Sequence, residues 1–345
     1  MNIKQVVEIG IKKKASDINI FEDACPCIRV NGVLDNLPDI VSAQEFEEFL
    51  KDDKIELIDD KSKDFGITVY GQRVRVNLYN SIQGRAMAMR IMPKNIPTPE
   101  ELRLPKEVID IVNLKKGLVI VAGVTGSGKS TTLASLIEKI NSEQHVHIVT
   151  AEEPIEYVFT PKRSIVSQRE VGTHVRSFAE AARDAMRQRP DVVLLGECRD
   201  RETVTEMVKL AKTGQLLLTT IHSDSAASVL DRITDMYPES VRDQIRSEVI
   251  DVLEYIVHQM LIPTKTGELV LSTEVIRANQ SLKAVLRKQI KSEQIREYLQ
   301  MSRGDGCLSR LDNLKDLNQK YRLNLEVVKA RISETDYRLL TRGRL

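Results

Sequence analysis

The sequence has few aromatic residues and almost no net charge. It contains no tryptophan, and Phe, Trp and Tyr together make up 4% of its residues. Its 51 Lys and Arg residues are balanced by 50 Asp and Glu residues, which leaves a formal net charge of +1. Proteins that move along single-stranded nucleic acid use a basic groove with aromatic side chains on which the bases stack. This composition therefore disfavours a nucleic-acid motor.

Cysteine is also scarce, and no cysteine pair has the spacing of metal ligands. The four cysteines are scattered and form no Cys-x-x-Cys motif. We therefore expect neither a disulfide framework nor a zinc ribbon, and a reducing compartment fits the pattern.

Long hydrophobic runs are missing as well. No stretch approaches the roughly 18 apolar residues of a membrane-spanning helix. The N-terminal stretch MNIKQVVEIGIKKKASD has no apolar core of signal-peptide length. We therefore expect a cytoplasmic protein that contacts a membrane only through a partner.

Residues 1–97 mix short strand and helix signals. Residues 63–80 alternate between apolar and polar side chains, which predicts a hairpin with Gly71 and Gln72 at its turn. Residues 85–93 predict a further strand, which ends at Pro93.

A proline-rich stretch then separates this region from the rest of the chain. Four of the 11 prolines fall in residues 92–105, where they resist both helix and sheet and predict an interdomain linker. The 345 residues are enough for more than one domain. The predicted division is an N-terminal domain at 1–97, a core at 98–280 and a helical, polar C-terminal subdomain at 281–345.

Four short apolar runs follow the linker. They are continuous rather than alternating, which is typical of strands buried on both faces of a parallel sheet. Stretches with helical apolar spacing separate them, and the strand-helix alternation predicts an α/β domain with a parallel sheet. The four runs are residues 117–123, 146–152, 191–197 and 216–222.

The first run leads into GVTGSGKS, residues 123–130, and a helical pattern follows directly. This is the G-x-x-x-x-G-K-[ST] phosphate loop in the strand-helix context that it requires. Its backbone N–H groups would surround phosphate oxygens, Lys129 would neutralise the β and γ oxygens, and the Ser130 hydroxyl would bind Mg²⁺. The predicted nucleotide-binding residues are Gly123, Thr125, Gly126, Ser127, Gly128, Lys129, Ser130 and Thr131.

Carboxylates follow two of the other predicted strands. The second run is followed by Glu152, Glu153 and Glu156, and the third by Glu197. Ligands of such sheets bind at the C-terminal strand ends, where one carboxylate can order Mg²⁺ and another can polarise the attacking water. His222 ends the fourth strand at the same edge, and it either senses the γ-phosphate, bridges to a neighbour or is structural.

In their order, the motifs resemble those of the secretion and type IV pilus ATPase family, and within it the pilus-retraction branch. The first domain contains KASDINI, IRVNG and RVRVN. The family's Asp box is matched by EEPIEY, and QREVG follows it. Its Walker B motif is matched by RPDVVLLGECRD and its His box by TTIHSDSAASVLDRITDMYP.

The resemblance implies a PAS-like N-terminal domain, a RecA-like domain and a hexameric ATPase that uses ATP and Mg²⁺ to retract type IV pili. It implies an inner-membrane pilus platform protein as the partner, with the ATPase peripheral at that membrane. Carried over by position, Glu197 would be the Walker B glutamate that helps to hold Mg²⁺, and Glu156 would be the general base. Arg75 and Arg90 match the arginines that reach the γ-phosphate from the N-terminal domain.

Some positions depart from the family's pattern. The Asp box reads Glu152-Glu153 instead of Glu-Asp, and Gln215 replaces a second histidine of the His box. Gln83 stands where a third N-terminal arginine is usual, and the C-terminal motif of the retraction branch is only partly present at 281–288. An ATPase of a type IVB secretion, conjugation or pilus-assembly system is therefore the alternative. More distant alternatives are a RecA-like nucleic-acid motor and a nucleotide-binding switch with little turnover.

Overall fold

The structure is a computed structural model of the protein, and it describes residues 1–52, 55, 62–288, 294–295, 298–299 and 305–341. The chain forms two compact units. Among the helices described, none combines the length and the apolar character needed to span a bilayer. The smaller unit comprises Met1–Ile96, Ala151–Phe159 and Gln168–Arg176, and the larger unit contains the remaining described residues.

The smaller unit is built on a six-stranded antiparallel sheet with the strand order β3-β2-β1-β6-β5-β4. Two helices pack on it. The helices are α1 (Ile3–Lys12) and α2 (Ala43–Asp52), and the strands are β1 (Asp17–Phe21), β2 (Cys27–Val30), β3 (Val33–Asn36), β4 (Lys63–Val69), β5 (Gln72–Ser81) and β6 (Gly84–Ile91).

This sheet has one apolar face and one polar face. Along β5, Val74 and Val76 are buried, whereas Arg73 and Arg75, which alternate with them, are only partly buried. Successive side chains of a strand point to opposite faces, so the apolar set packs together with buried residues of α1 and α2 into one core. The arginines therefore lie on the polar face.

The hairpin predicted over residues 63–80 is present as β4 and β5. Its turn lies at Tyr70 and Gly71, one residue earlier than predicted, because Val69 pairs with Gln72. Both turn residues have positive φ angles, +50° and +72°. Two-residue turns of this kind match the right-handed twist of the strands that they join.

The larger unit contains most of a seven-stranded sheet with the order β13-β12-β7-β11-β10-β8-β9, and the last residues of β8 and β9 belong to the smaller unit. Its strands are β7 (Gly117–Ala122), β8 (His147–Glu152), β9 (Ile165–Glu170), β10 (Val192–Leu195), β11 (Leu216–Ile221), β12 (Leu253–Pro263) and β13 (Leu269–Arg277). The helices before and between these strands are α3 (Lys106–Ile109), α4 (Lys129–Glu143), α5 (Phe178–Gln188), α6 (Arg201–Lys212), α7 (Val229–Thr234) and α8 (Glu239–Val252).

The centre of this sheet is parallel, which confirms the predicted fold class. Strand β11 pairs in parallel with both β7 and β10, and β7 also pairs in parallel with β12. Every residue of β7, β10 and β11 is buried, as expected for strands that are covered on both faces. The four predicted strands are present as β7, β8, β10 and β11.

Short helices dominate the described residues after β13. They are α9 (Gln280–Leu286), α10 (Arg310–Tyr321), α11 (Leu325–Lys329) and α12 (Glu334–Thr341). Leu314 and Leu317 of α10 form one apolar cluster with Met260 and Ile262 of β12 and Val270 of β13. The last helices are therefore anchored on the β12–β13 edge of the sheet.

Candidate nucleotide-binding and catalytic site

The predicted phosphate loop connects the end of β7 to the start of α4. Gly123, directly after β7, has a φ of +151°, and a Cβ there would overlap the carbonyl oxygen of Gln259. Only glycine fits both that conformation and that close approach. Gly128 precedes α4 with a φ of +86° and has no side chain. Consequently no side-chain cap at this position competes with an anion for the positive end of the helix.

Lys129 is buried at the start of α4, and its ammonium group faces the loop. It donates to the carbonyl oxygens of Gly123 and Val124, both at 3.0 Å. From β12, Gln259 donates to the carbonyl oxygen of Ser127 at 2.7 Å, which fixes the loop from the neighbouring strand. Within the part of the chain that the structure describes, the buried Ser127 hydroxyl has no hydrogen-bond partner, so a phosphate oxygen would satisfy it.

The remaining predicted loop residues are more accessible. Thr125, Gly126 and Ser130 are exposed, and Thr131 is partly buried. The Ser130 hydroxyl therefore lies at the solvent side of the helix start, where a metal ion that accompanies a nucleotide would approach.

Glu197 follows β10 and is held on both sides by β11. The Thr220 hydroxyl donates to the carbonyl oxygen of Gly196 at 2.6 Å, and the N–H group of Cys198 donates to the carbonyl oxygen of Thr220 at 2.9 Å. Burial raises the pKa of the Cys198 thiol to about 12, so this side chain stays protonated and packs as an apolar group. The backbone on both sides of Glu197 is thus fixed, and its partly exposed carboxylate projects from that backbone.

His222 lies next to Glu197 at the end of β11. Its Nε2 atom is 3.7 Å from the Glu197 Oε1 atom. Burial and the positive charge of Lys129 lower the pKa of His222 below its ordinary value of 6.5, although Glu197 opposes them. The imidazole is therefore neutral at pH 7 and can accept or donate a hydrogen bond. Lys129, Glu197 and His222 thus lie beyond the C-terminal ends of adjacent parallel strands.

A buried polar cluster ties α10 to the segment that follows His222. Arg310 of α10 donates to Glu274 of β13 at 3.2 Å and lies 3.1 Å from the Nδ1 atom of His258 in β12. The Arg310 guanidinium is also 3.4 Å from the carbonyl oxygen of Asp224, and Glu274 accepts from the N–H group of Ala226 at 3.2 Å. The C-terminal helices are thereby coupled to the loop that carries His222.

His258 gives this cluster a pH dependence that can be measured. Burial and the charge of Arg310 lower the pKa of His258 to about 3. An unfolded histidine has a pKa of about 6.5, so below that pH the unfolded chain binds a proton that the folded protein does not. The free energy of unfolding is therefore at its full value above pH 6.5 and falls as the pH decreases toward 3. Between pH 7 and pH 5 we expect the free energy of unfolding to fall by about 2 kcal/mol more in the parent protein than in His258→Gln.

Urea unfolding at both pH values measures this difference. The control is His145→Gln, which removes a histidine from an exposed position and should keep the parental fall. If His258→Gln lost as much stability as the parent between pH 7 and pH 5, the conclusion that folded His258 stays neutral in this range would be wrong.

Arg75 and Arg90 lie in the smaller unit as direct cross-strand partners on β5 and β6. Their side chains are 39% and 67% exposed. Arg75 is 3.7 Å from a carboxylate oxygen of Asp64, and Arg90 donates to Asp17 at 3.0 Å. Like charges that face each other across a sheet repel, and here Asp64 and Asp17 offset that repulsion, as a bound anion also would.

Glu156 also belongs to the smaller unit, in the segment Ala151–Phe159. Its side chain is partly buried. Gln168 fixes the rest of this segment: it accepts from the N–H group of Phe159 at 2.7 Å and donates to the carbonyl oxygen of Tyr157 at 2.8 Å. The structure therefore groups Glu156 with Arg75 and Arg90 in one unit, and Lys129, Glu197 and His222 in the other.

The sequence patterns did not reveal several residues that support the site. Gln259 and His258 interrupt the apolar run of β12, and two adjacent polar residues in a buried strand are a signal that could have identified them. Nothing local marks Arg310 or Glu274, because their partners lie tens of residues away in the sequence.

The comparisons with known proteins agree with this geometry. The Type II/IV secretion system protein family matches residues 2–333. The type IV pilus retraction ATPase PilT of Pseudomonas aeruginosa is 34% identical over 306 residues, which cover 84% of this chain and 86% of that protein.

Two solved structures share the fold over nearly the whole chain. The pilus retraction motor PilT with bound ADP has a TM-score of 0.82 and 32% identity, and the match covers 99% of this chain and 98% of that one. The ATPase DotB of Legionella pneumophila also has a TM-score of 0.82, with 25% identity and coverage of 99% and 95%. The family predicted from the motifs is confirmed: the chain belongs to the Type II/IV secretion system protein family and is similar to its type IV pilus ATPases.

Proposed function

We propose that this protein is an ATP-hydrolysing motor that retracts type IV pilus filaments. The observation that carries the proposal is the meeting of Lys129, Glu197 and His222 beside a glycine-capped helix start, at the C-terminal edge of a parallel sheet. Similarity to a named pilus retraction ATPase over 84% of the chain supports the choice of retraction.

ATP would bind with its phosphates on the backbone N–H groups of residues 123–131. Lys129 would neutralise the β and γ oxygens, and the buried Ser127 hydroxyl would donate to a phosphate oxygen. Glu156 would accept a proton from the attacking water as the general base, and the neutral His222 would hydrogen-bond the γ-phosphate.

Mg²⁺ would be held together with the nucleotide. In the described ranges, no group of three or more His, Cys, Asp or Glu side chains could hold a metal alone. Mg²⁺ commonly binds through substrate phosphates and one or two protein oxygens, and the Ser130 hydroxyl and the Glu197 carboxylate are such donors. Bound there, Mg²⁺ would offset the negative charge of the phosphate oxygens.

The motor would act as a homohexamer with nucleotide at its subunit interfaces. Arg75 and Arg90 of one subunit would reach the γ-phosphate held by its neighbour and stabilise the charge of the transferred phosphoryl group. Loss of the shared phosphate would release the linker at 92–105 and let the domains rotate. The domain division at 1–97, 98–280 and 281–345 belongs to this proposal, as does a cytoplasmic location at an inner-membrane pilus platform protein.

A secretion ATPase is the second candidate. The family that matches residues 2–333 is described as Type II/IV secretion system protein, which favours it. The two candidates use the same nucleotide chemistry and differ in what the motion drives. Only an experiment in the producing organism separates them.

Deletion of the gene is expected to increase surface pili and to abolish twitching motility. A plasmid copy of the parent should restore both, whereas Glu197→Ala should restore neither, because the site then lacks its Walker B carboxylate. The control is Glu202→Ala on α6, which removes an exposed ion pair with Arg183 of α5 and should behave as the parent. Loss of all pili would instead support assembly, and normal pili with failed protein export would support secretion.

A further inference from the structure

An ion pair lies in the smaller unit between β5 and the end of β9, and no role was predicted for it. Arg73 donates to a carboxylate oxygen of Glu170, and their side chains are 15% and 3% exposed. A charge that is buried to this extent is retained only when its partner groups are in place. The groups that Arg73 and Glu170 contact therefore indicate which part of the chain the ion pair keeps in place.

Both backbone groups of Ile155 are bound by this pair. The Ile155 N–H group donates to the Glu170 Oε2 atom at 3.0 Å, and the Ile155 carbonyl oxygen accepts from the Arg73 Nε atom at 3.0 Å. That carbonyl and the N–H group of Glu156 share one planar peptide unit. The pair consequently fixes the peptide plane from which Glu156 projects.

The same carboxylate is also anchored to β4, the strand next to Arg75. Its Oε1 atom accepts from the N–H group of Gly66 in β4 at 3.0 Å and from the Thr173 hydroxyl at 3.4 Å. Gly66 is the direct cross-strand partner of Arg75. A Cβ at Gly66 would overlap the Arg73 guanidinium, so glycine leaves the space that the ion pair occupies.

We propose that Arg73 and Glu170 are positioning residues that hold Glu156 in register with Arg75 for ATP hydrolysis. The inference rests on the proposed function, in which Glu156 is the general base. Gln168 holds Tyr157 and Phe159 independently of the pair. Breaking the pair therefore releases the middle of the segment, where Glu156 lies, and leaves its end attached.

The test is Glu170→Gln, which keeps the shape of the side chain and removes the charge that binds Arg73. We expect kcat for ATP hydrolysis to fall by about 10²-fold, the effect of misplacing a reacting group by about 1 Å, with KM for ATP unchanged. The control is Glu22→Gln, which breaks a half-buried ion pair with Arg85 in the same unit and should leave kcat unchanged. Circular dichroism and size-exclusion chromatography check the fold of each variant.

A second variant is included because Glu170→Gln could fail to fold. Arg73→Lys keeps the charge but has a single ammonium group in place of the guanidinium fork, which cannot donate to both Glu170 and Ile155 in the same geometry. It should also lower kcat without changing KM. A parental kcat in every folded variant of the pair would overturn the inference.

Glu156→Ala separates the inference from the proposed function on which it rests. If Glu170 acts through Glu156, Glu170→Gln should lower kcat in the parent and cause no further loss in Glu156→Ala. Equal losses in both backgrounds would overturn the positioning role and leave the proposed function intact. A parental kcat in Glu156→Ala would remove the general base of the proposed function itself.

Discussion

Replacing Lys129 with alanine is expected to lower kcat/KM for ATP hydrolysis by about 10³-fold, the loss caused by removing a preorganised charge from a developing anion. The Lys129 ammonium is buried and already held at 3.0 Å from two loop carbonyl oxygens. Little reorganisation is therefore needed before it neutralises phosphate oxygens. Phosphate release under steady-state conditions measures the loss, and isothermal titration with ADP separates binding from turnover.

The matched control for this prediction is Lys139→Ala on the same helix. Lys139 forms an i,i+4 ion pair with Glu143 on the outer part of α4, and such exposed pairs contribute about 0.3–0.5 kcal/mol to stability. We expect this variant to hydrolyse ATP at the parental rate. If Lys129→Ala also kept the parental rate, residues 123–131 would not be the catalytic phosphate loop.

Local sequence patterns predicted the phosphate loop and the strands of the larger sheet because each depends on neighbouring residues. A continuous apolar run gives a strand such as β7, and Gly123 and Gly128 allow backbone angles that other residues rarely adopt. The N-terminal cap of α5 is local as well, since the Ser177 hydroxyl accepts from the N–H group of Glu180 three residues later.

The proximity of Glu197 and His222 followed from a rule of topology. Parallel neighbouring strands end at the same edge of a sheet, so residues after β10 and β11 meet although 24 positions separate Gly196 from Thr220. The rule places residues at an edge but does not give contacts. The role of Thr220 in fixing both neighbours of Glu197 was accessible only from the structure.

The supporting contacts could not be predicted, because they join distant parts of the chain. Arg73 and Glu170 are 97 positions apart, and Gln259 lies 132 positions from Ser127. Single-sequence patterns carry no information about such pairs. Arg73 did have one readable feature, since it lies two residues before Arg75 and therefore shares its face of the sheet.

Replacing both Arg75 and Arg90 with glutamine is expected to lower kcat by about 10³-fold, as the removal of arginine fingers does in other phosphoryl-transfer enzymes. Stability should change little, because the variant removes two facing like charges together with their exposed ion pairs to Asp64 and Asp17. Thermal unfolding checks this second expectation. The control is Arg29→Gln on β2 of the same sheet, which should keep the parental rate.

Mixing this double variant with Lys129→Ala tests whether the arginines act on the neighbouring subunit. Each variant alone should be inactive. In a randomly mixed ring, about a quarter of the interfaces would combine an intact phosphate loop from one subunit with intact arginines from the next. Mixing before ring assembly should therefore restore ATP hydrolysis to about a quarter of the parental rate. Arginines that act only within their own subunit would leave the mixture inactive, because no subunit then carries both parts of the site.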